Sequence, residues 1–208
     1  MIIKYQDCKD LIEEADVLLF RHGNFPSIGW WIGKYSQSPY SHVGLAHWEN
    51  GVLNCVEFRE FIGSRNKSLL KQVAINPDRI DVYKPSRLFS EPIIEKENDK
   101  FGIVWKDKVL TKEIRNNITQ EAIGLVGKPY GWSVIWRNIK SFIPFLRLSQ
   151  DQTKGNDIVN NFVCSTLITY AYRLHYVDPI PFLADTYTQP GDLPRSNLFH
   201  YAFTIGGF

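Results

Sequence analysis

Cysteine is scarce in this chain: Cys8, Cys55 and Cys164 are the whole complement of its 208 residues. Three thiols so widely spaced do not make a disulfide framework. With no Cys-x-x-Cys pair and no His-Glu-x-x-His run, metal-ligand spacing is missing as well, so no cofactor is expected. An excess of one charge is missing too. Lys and Arg number 24 against 22 Asp and Glu, and no basic block stands out, which argues against a nucleic-acid partner. No apolar run is long enough to span a bilayer, and Asp7, Lys9, Asp10, Glu13 and Glu14 occupy the stretch where a signal peptide would be apolar. The expected location is cytoplasmic or otherwise soluble, in a reducing compartment; a virion would also suit. Internal repeats and low-complexity segments are absent.

What the chain does have is apolar and aromatic content, 44% and 14% respectively, enough for a folded core. The expectation is a single domain over residues 1–208. It would carry an insertion near 86–113 and an elaborated loop or helix near 132–160.

The stretch Asn161 to Ile168 places Cys164 where a helix begins. Val163, Leu167, Tyr170, Ala171 and Leu174 recur at helical spacing, and Asn160 or Asn161 can serve as N-cap. Unpaired N–H groups and the positive end of the helix dipole would then favour a thiolate. A small buried hydrophobe is the plainer reading of a lone cysteine, and taken alone this stretch favours it.

Ser41 to Trp48 and Val52 to Arg59 are strand-like runs flanking Asn50-Gly51, the strongest short hairpin signal. With Asn50-Gly51 as the turn, Glu49 pairs with Val52, Ala46 with Cys55, Gly44 with Glu57 and His42 with Arg59. Val43, Leu45, Val56 and Phe58 then share an apolar face. His42, Gly44, Ala46, Cys55, Glu57 and Arg59 share the other. His42 and Glu57 become diagonal neighbours, roughly 7–8 Å apart at Cβ, while Glu60 points away. The small Gly44 and Ala46 leave room for the helix bearing Cys164. Ordinary readings for the pair are a hydrogen-bonded strand histidine and a solvated carboxylate.

Elsewhere, Leu11 to Glu14 reads as the end of a short helix or turn, and Asp16 to Arg21 as a buried strand. A helix is expected from Ser27 to about Ser38, a strand from Arg79 to Lys84, and a helix from Ile114 to Val126 closed by Gly127. Ser86 to Glu113 reads as irregular, with a strand at Phe101 to Trp105. Trp132 to Leu148 is a basic, aromatic amphipathic stretch. It is a candidate for peripheral membrane or protein-assembly contact, although packing on the core is commoner. Pro179, Pro181, Pro190, Gly191 and Pro194 predict an extended, wrapping tail.

Four segments together resemble the NlpC-type superfamily of papain-like cysteine hydrolases. They are Ser41-His42-Val43-Gly44-Leu45, Glu57, Gly127-Lys128-Pro129-Tyr130-Gly131-Trp132 and Phe162-Val163-Cys164-Ser165-Thr166-Leu167-Ile168. The histidine strand precedes the cysteine, an order that resembles the circularly permuted YiiX-like branch, to which lecithin retinol acyltransferase is related. Ala15-Asp16-Val17-Leu18-Leu19 and Pro190-Gly191-Asp192-Leu193 are similar to that branch's opening strand and C-terminal segment. The chain departs from the pattern at Thr166, where Gly or Glu is usual, and at Ala15, where Gly is usual. The resemblance implies an α+β permuted papain-like fold, its antiparallel sheet packed against the helix carrying the cysteine. It also implies Cys164 as nucleophile, His42 as base, Glu57 as third polar residue, and Tyr130 with the Cys164 N–H as oxyanion donors.

The function expected on these grounds is a thiol hydrolase cleaving an amide, ester or thioester of a small peptide, amino-acyl or acyl-lipid substrate. Rival readings are a catalytically silent binding module of a larger assembly and a lipid-surface acyltransferase. A zinc site from His42, His47 and a cysteine is more distant, because the register puts His47 on the apolar face. Substrate identity and oligomeric state are not encoded in any motif.

Overall fold

The structure is a computed structural model and describes residues 1–23, 37–59, 62–97, 100–129, 163–181 and 183–207. The expected helix from Ser27, the stretch Trp132 to Leu148, Glu60, Tyr130 and the caps Asn160 and Asn161 lie wholly or mainly outside the described residues.

The elements follow the chain as β1 (Ile2–Lys4), α1 (Tyr5–Cys8), β2 (Val17–Arg21), β3 (Tyr40–Glu49), β4 (Val52–Arg59), β5 (Gly63–Ser68) and α2 (Leu69–Ile75). Then come β6 (Ile80–Pro85), β7 (Leu88–Glu97), β8 (Lys100–Val109), α3 (Lys112–Gly124), α4 (Cys164–Arg173) and β9 (Phe199–Gly206). Among the described residues, seven strands form one sheet in the order β1-β9-β6-β2-β3-β4-β5, and β7 and β8 form a separate two-stranded ribbon. Every neighbouring pair in the large sheet is antiparallel except β1 with β9. The architecture is therefore mixed α and β, with one large sheet and a few helices.

Two clusters of buried side chains account for the sheet's two faces. Val17, Leu19, Val43, Leu45, Val56 and Phe58 pack with Ile118 and Ala122 of α3 and with Leu167, Ile168 and Ala171 of α4. Leu18, Phe20, Ala46, Cys55, Ile80 and Val82 pack with Tyr5 and Cys8 of α1 and Leu69 and Val73 of α2. Covered on both sides, β2 reads as an unbroken apolar run, Val17-Leu18-Leu19-Phe20, and all four residues are buried.

The β3–β4 hairpin has the expected register: Glu49 pairs with Val52, Ala46 with Cys55 and Gly44 with Glu57. Asn50 and Gly51 have φ of 50° and 77°, the left-handed pair that a two-residue turn needs. On its other edge β3 pairs with β2, where Phe20 lies opposite His42 and Arg21 opposite Tyr40, leaving Ser41 as an extra residue.

Three expectations need correction. Ser86 to Glu113 is not irregular: β7 and β8 pair over ten residues each, with Pro92 opposite Trp105 in the ribbon. The tail does not merely wrap, since β9 enters the large sheet between β1 and β6. Its alternation Phe199, Tyr201, Phe203, Ile205 carried that signal, and the upstream prolines overshadowed it. The third concerns α3, which begins earlier than expected because the Thr111 side chain accepts a hydrogen bond from the Ile114 N–H at 3.2 Å, a cap. Among the described residues, no helix is long and apolar enough to cross a membrane.

Candidate functional site

Cys164 is the first residue of α4, and its N-cap is Val163, which offers no side-chain cap. That replaces Asn160 and Asn161 as the expected caps. The helix's first N–H groups consequently have no side-chain acceptor at the cap, next to the thiol. The start of α4 is tied down from the tail instead: Ser165 Oγ donates to the Thr188 carbonyl and Thr166 Oγ1 to that of Asp185. Thr166 is thus a buried strut at the position where the resemblance led one to expect Gly or Glu.

Helix α4 packs on the Val43, Leu45, Val56 and Phe58 face, not in the space beside Gly44 and Ala46 as the sequence suggested. That space is already taken, because a Cβ on Gly44 would stand 2.4 Å from the Cys55 sulfur. His42 keeps to the Glu57 and Phe20 side of the sheet, and Cys164 at the start of α4 comes near its ring. The extra residue at Ser41 turns Tyr40 into the α4-side cluster, and bulges commonly re-aim neighbouring side chains.

His42 is buried, and its Nε2 lies 2.6 Å from Glu57 Oε2. Its Nδ1 makes no hydrogen bond among the described residues. Cys164 lies near enough to the ring to raise its pKa. With Nε2 committed to Glu57, Nδ1 is the nitrogen left for the thiol. Burial alone would lower the pKa of His42, but the Cys164 thiol and the Glu57 carboxylate together outweigh it and raise the pKa to about 9.

Glu57 is completely buried. Burial pushes its carboxyl up, yet His42, Arg59 and Arg65 override that and hold it well below the usual carboxylate range. Arg65 contacts Oε1 through Nε at 2.8 Å and Nη2 at 2.7 Å, and Gln72 Nε2 donates to the same oxygen at 2.7 Å. Arg59 Nε donates to Oε2 at 3.1 Å. Sequence reasoning placed Arg59 on this face but missed Arg65 and Gln72. Their signal was faint: Arg65 pairs with Glu57 across β4 and β5, and β5 has too few apolar residues to announce itself.

The other candidates separate from this group. Burial and the nearby Glu57 charge drive the Cys55 thiol well above its ordinary pKa, and burial with the Asp7 charge raises Cys8 to about 11. His47 turns to Glu14, with Nδ1 3.3 Å from Oε2. It does not join His42 and a cysteine, and among the described residues no three His, Cys, Asp or Glu gather as metal ligands.

No protein-family model matches the chain, and no curated protein matches it. Among solved structures it is similar to the metalloprotein yiiX from Escherichia coli O157:H7, with a TM-score of 0.60 at 13% identity, covering 94% of this chain and 98% of that one. At that identity the likeness speaks to fold, and the fold is YiiX-like.

Proposed function

We propose that the protein is a cysteine hydrolase of the circularly permuted papain-like kind, cleaving an amide, ester or thioester through Cys164, His42 and Glu57. The observation that carries this reading is the state of His42: one ring nitrogen held at 2.6 Å by a buried carboxylate, the other without a hydrogen bond among the described residues, and a thiol near the ring. In this scheme His42 takes the Cys164 proton and the thiolate attacks the substrate carbonyl. The acyl group bonds to sulfur while His42 returns the proton to the leaving amine, alcohol or thiol. Water, deprotonated by His42, then releases the acid and restores the thiol. Glu57 holds the ring's orientation and offsets the imidazolium charge. The Cys164 N–H, at the uncapped start of α4, is the donor we assign to the oxyanion, with Tyr130 its proposed companion. Small peptide, amino-acyl and acyl-lipid substrates all fit this chemistry.

The yiiX protein is described as a metalloprotein. The donor set here does not suit a cation, because the guanidinium groups of Arg59 and Arg65 lie against Glu57. The proposal therefore runs through the thiol.

The test is hydrolysis of a panel of aminoacyl, peptide and acyl-ester substrates by wild type, Cys164→Ala, His42→Ala and Cys55→Ala. We expect the first two variants to lose at least about a hundredfold in rate while Cys55→Ala retains activity. Cys164 should also be the first of the three thiols that iodoacetamide labels. Activity that survives in Cys164→Ala and disappears in Cys55→Ala would refute the assignment.

A further inference from the structure

Glu57 has more donors than an orienting carboxylate needs. A carboxylate offers roughly four lone-pair positions, and here Oε2 takes His42 and Arg59 while Oε1 takes two nitrogens of Arg65 and one of Gln72. The donors are themselves joined. Arg59 Nη2 donates to Gln72 Oε1 at 3.4 Å, and Arg59 Cζ lies 5.6 Å from the centre of the Phe20 ring. Phe20 in turn packs against His42 with ring centroids 5.1 Å apart. The path from His42 through Glu57, Gln72, Arg59 and Phe20 returns to His42. Gln72 is fully buried on α2, and the side chains of Arg59 and Arg65 are only 27% and 23% exposed.

We propose that Arg65, Gln72 and Arg59 are positioning residues: they hold both Glu57 oxygens so that the carboxylate cannot rotate, and the Oε2 contact with Nε2 then fixes His42 with Nδ1 toward Cys164. This rests on the hydrolase reading for its consequence in catalysis, but not for its geometry. The two guanidinium groups also have an electrostatic effect. The groups facing His42 are Glu57, Arg59 and Arg65 from β4 and β5, Cys164 from α4, and the uncharged Gln72 from α2. Cys55 lies near Glu57 on β4, and Phe20 of β2 contributes only its ring. Two cations and one anion therefore sit on the Nε2 side. Each guanidinium, bound to Glu57, opposes the basicity that the carboxylate confers on the imidazole without cancelling it.

The test is nitrogen NMR of the His42 ring, titrated in wild type, Arg65→Met, Arg65→Lys, Arg59→Gln, Gln72→Met and Glu57→Gln, with near-UV circular dichroism to confirm folding. Wild type should keep Nε2 protonated and titrate at Nδ1. Removing a cation in Arg65→Met or Arg59→Gln should raise the midpoint by about one unit, on a Coulomb estimate at an effective dielectric of ~20 reduced for partial exposure. Glu57→Gln should lower it, and Arg65→Lys should return it to near the wild-type value. Gln72→Met should let the neutral ring populate both tautomers, and should lower kcat with little change in KM. Folded Arg59→Gln and Gln72→Met proteins with wild-type midpoint and tautomer would overturn the proposal, even if Arg65→Met fails to fold. Loss of the hydrolase reading would look different: Cys164→Ala would remain active while these titrations still moved.

Discussion

Gly44 and Cys55 share one volume. The two residues sit on adjacent strands next to the Gly44–Glu57 and Ala46–Cys55 pairs, and a Cβ on Gly44 would meet the sulfur at 2.4 Å, the Val56 carbonyl at 3.0 Å and the Glu57 Cβ at 3.3 Å. The glycine is required here by close approach, since its φ is ordinary, and the strand that presents His42 lies flat on β4 because of it.

Gly44→Ala is therefore expected to destabilise the fold by about 1–3 kcal/mol, the usual cost of overpacking. Cys55→Ala placed on top should recover part of that loss, because it empties the contact at 2.4 Å but not those to Val56 and Glu57. A double-mutant cycle by urea unfolding measures the coupling, expected at about 0.5–3 kcal/mol. Additive single effects would mean that the strand moves aside instead.

The pH dependence of stability should carry the signature of His42. Its pKa in the folded protein is raised to about 9, chiefly by Cys164 and Glu57 acting against burial, and the unfolded value is about 6.5. A raised pKa means the folded state binds the extra proton more tightly. The contribution is complete below about pH 6.5 and is lost as pH climbs through 9. Glu57 works at the opposite end: its lowered pKa stabilises the fold above the carboxylate range, and that support disappears only in acid. Unfolding free energies at pH 6 and pH 9.5 should fall more steeply in wild type than in His42→Gln, by on the order of 2 kcal/mol. Parallel profiles would show that the ring is already neutral at pH 6.

The approach of His42 to Glu57 is legible in the sequence. Asn50-Gly51 fixes the hairpin register by itself, because the turn demands two left-handed residues and each slip by one residue would invert every side chain. From that register follows Gly44 opposite Glu57, and hence His42 near Glu57. Which face α4 covers was not readable: period-two alternation separates the faces but does not say which helix takes which, and the extra residue at Ser41 breaks the alternation at Tyr40. Gln72 and Arg65 were hidden for another reason. They reach Glu57 from later elements, and no local pattern encodes a buried carboxylate's distant donors. β1 is three residues long, too short for any periodicity.

Ala15 is a point of stored strain. Its φ is 58° although it is not glycine, and left-handed backbone costs an L-residue roughly 1–2 kcal/mol. The conformation persists because both its polar groups are held: the N–H donates to the Ala46 carbonyl at 3.1 Å, and the carbonyl accepts from Tyr172 Oη at 2.6 Å. Ala15→Gly removes the strain but adds unfolded-state freedom worth about 0.4–1 kcal/mol. The net expectation is a gain of about 0.5–1 kcal/mol, seen as a higher urea midpoint. Ala15→Val should lose stability instead, since a β-branched residue tolerates positive φ least. A midpoint unchanged in both variants would mean that the local backbone relaxes freely.

The turn leading toward Tyr130 is clamped by one buried serine. Ser64 Oγ donates to the Leu125 carbonyl and, at 3.2 Å, to that of Lys128, and it accepts from the Lys128 N–H at 2.9 Å. Its backbone N–H adds a bond to the same Lys128 carbonyl at 2.9 Å. Next to it Gly63 has φ of 85°, and a Cβ there would lie 2.4 Å from the Lys128 oxygen. The segment ahead of Tyr130 is thereby fastened to β5, the strand that supplies Arg65 to Glu57. Ser64→Ala leaves the Lys128 N–H with the Leu125 carbonyl alone and takes a donor from two carbonyls, a loss of about 0.5–1.5 kcal/mol. Because the bonds are local, hydrogen exchange should accelerate most at residues 125–128 and in β5, and least in β6 and β9. Gly63→Ala should give the same pattern more severely, through strain and the clash. Uniform acceleration across the sheet would show that the clamp belongs to the global core, and that fastening this turn is not its particular role.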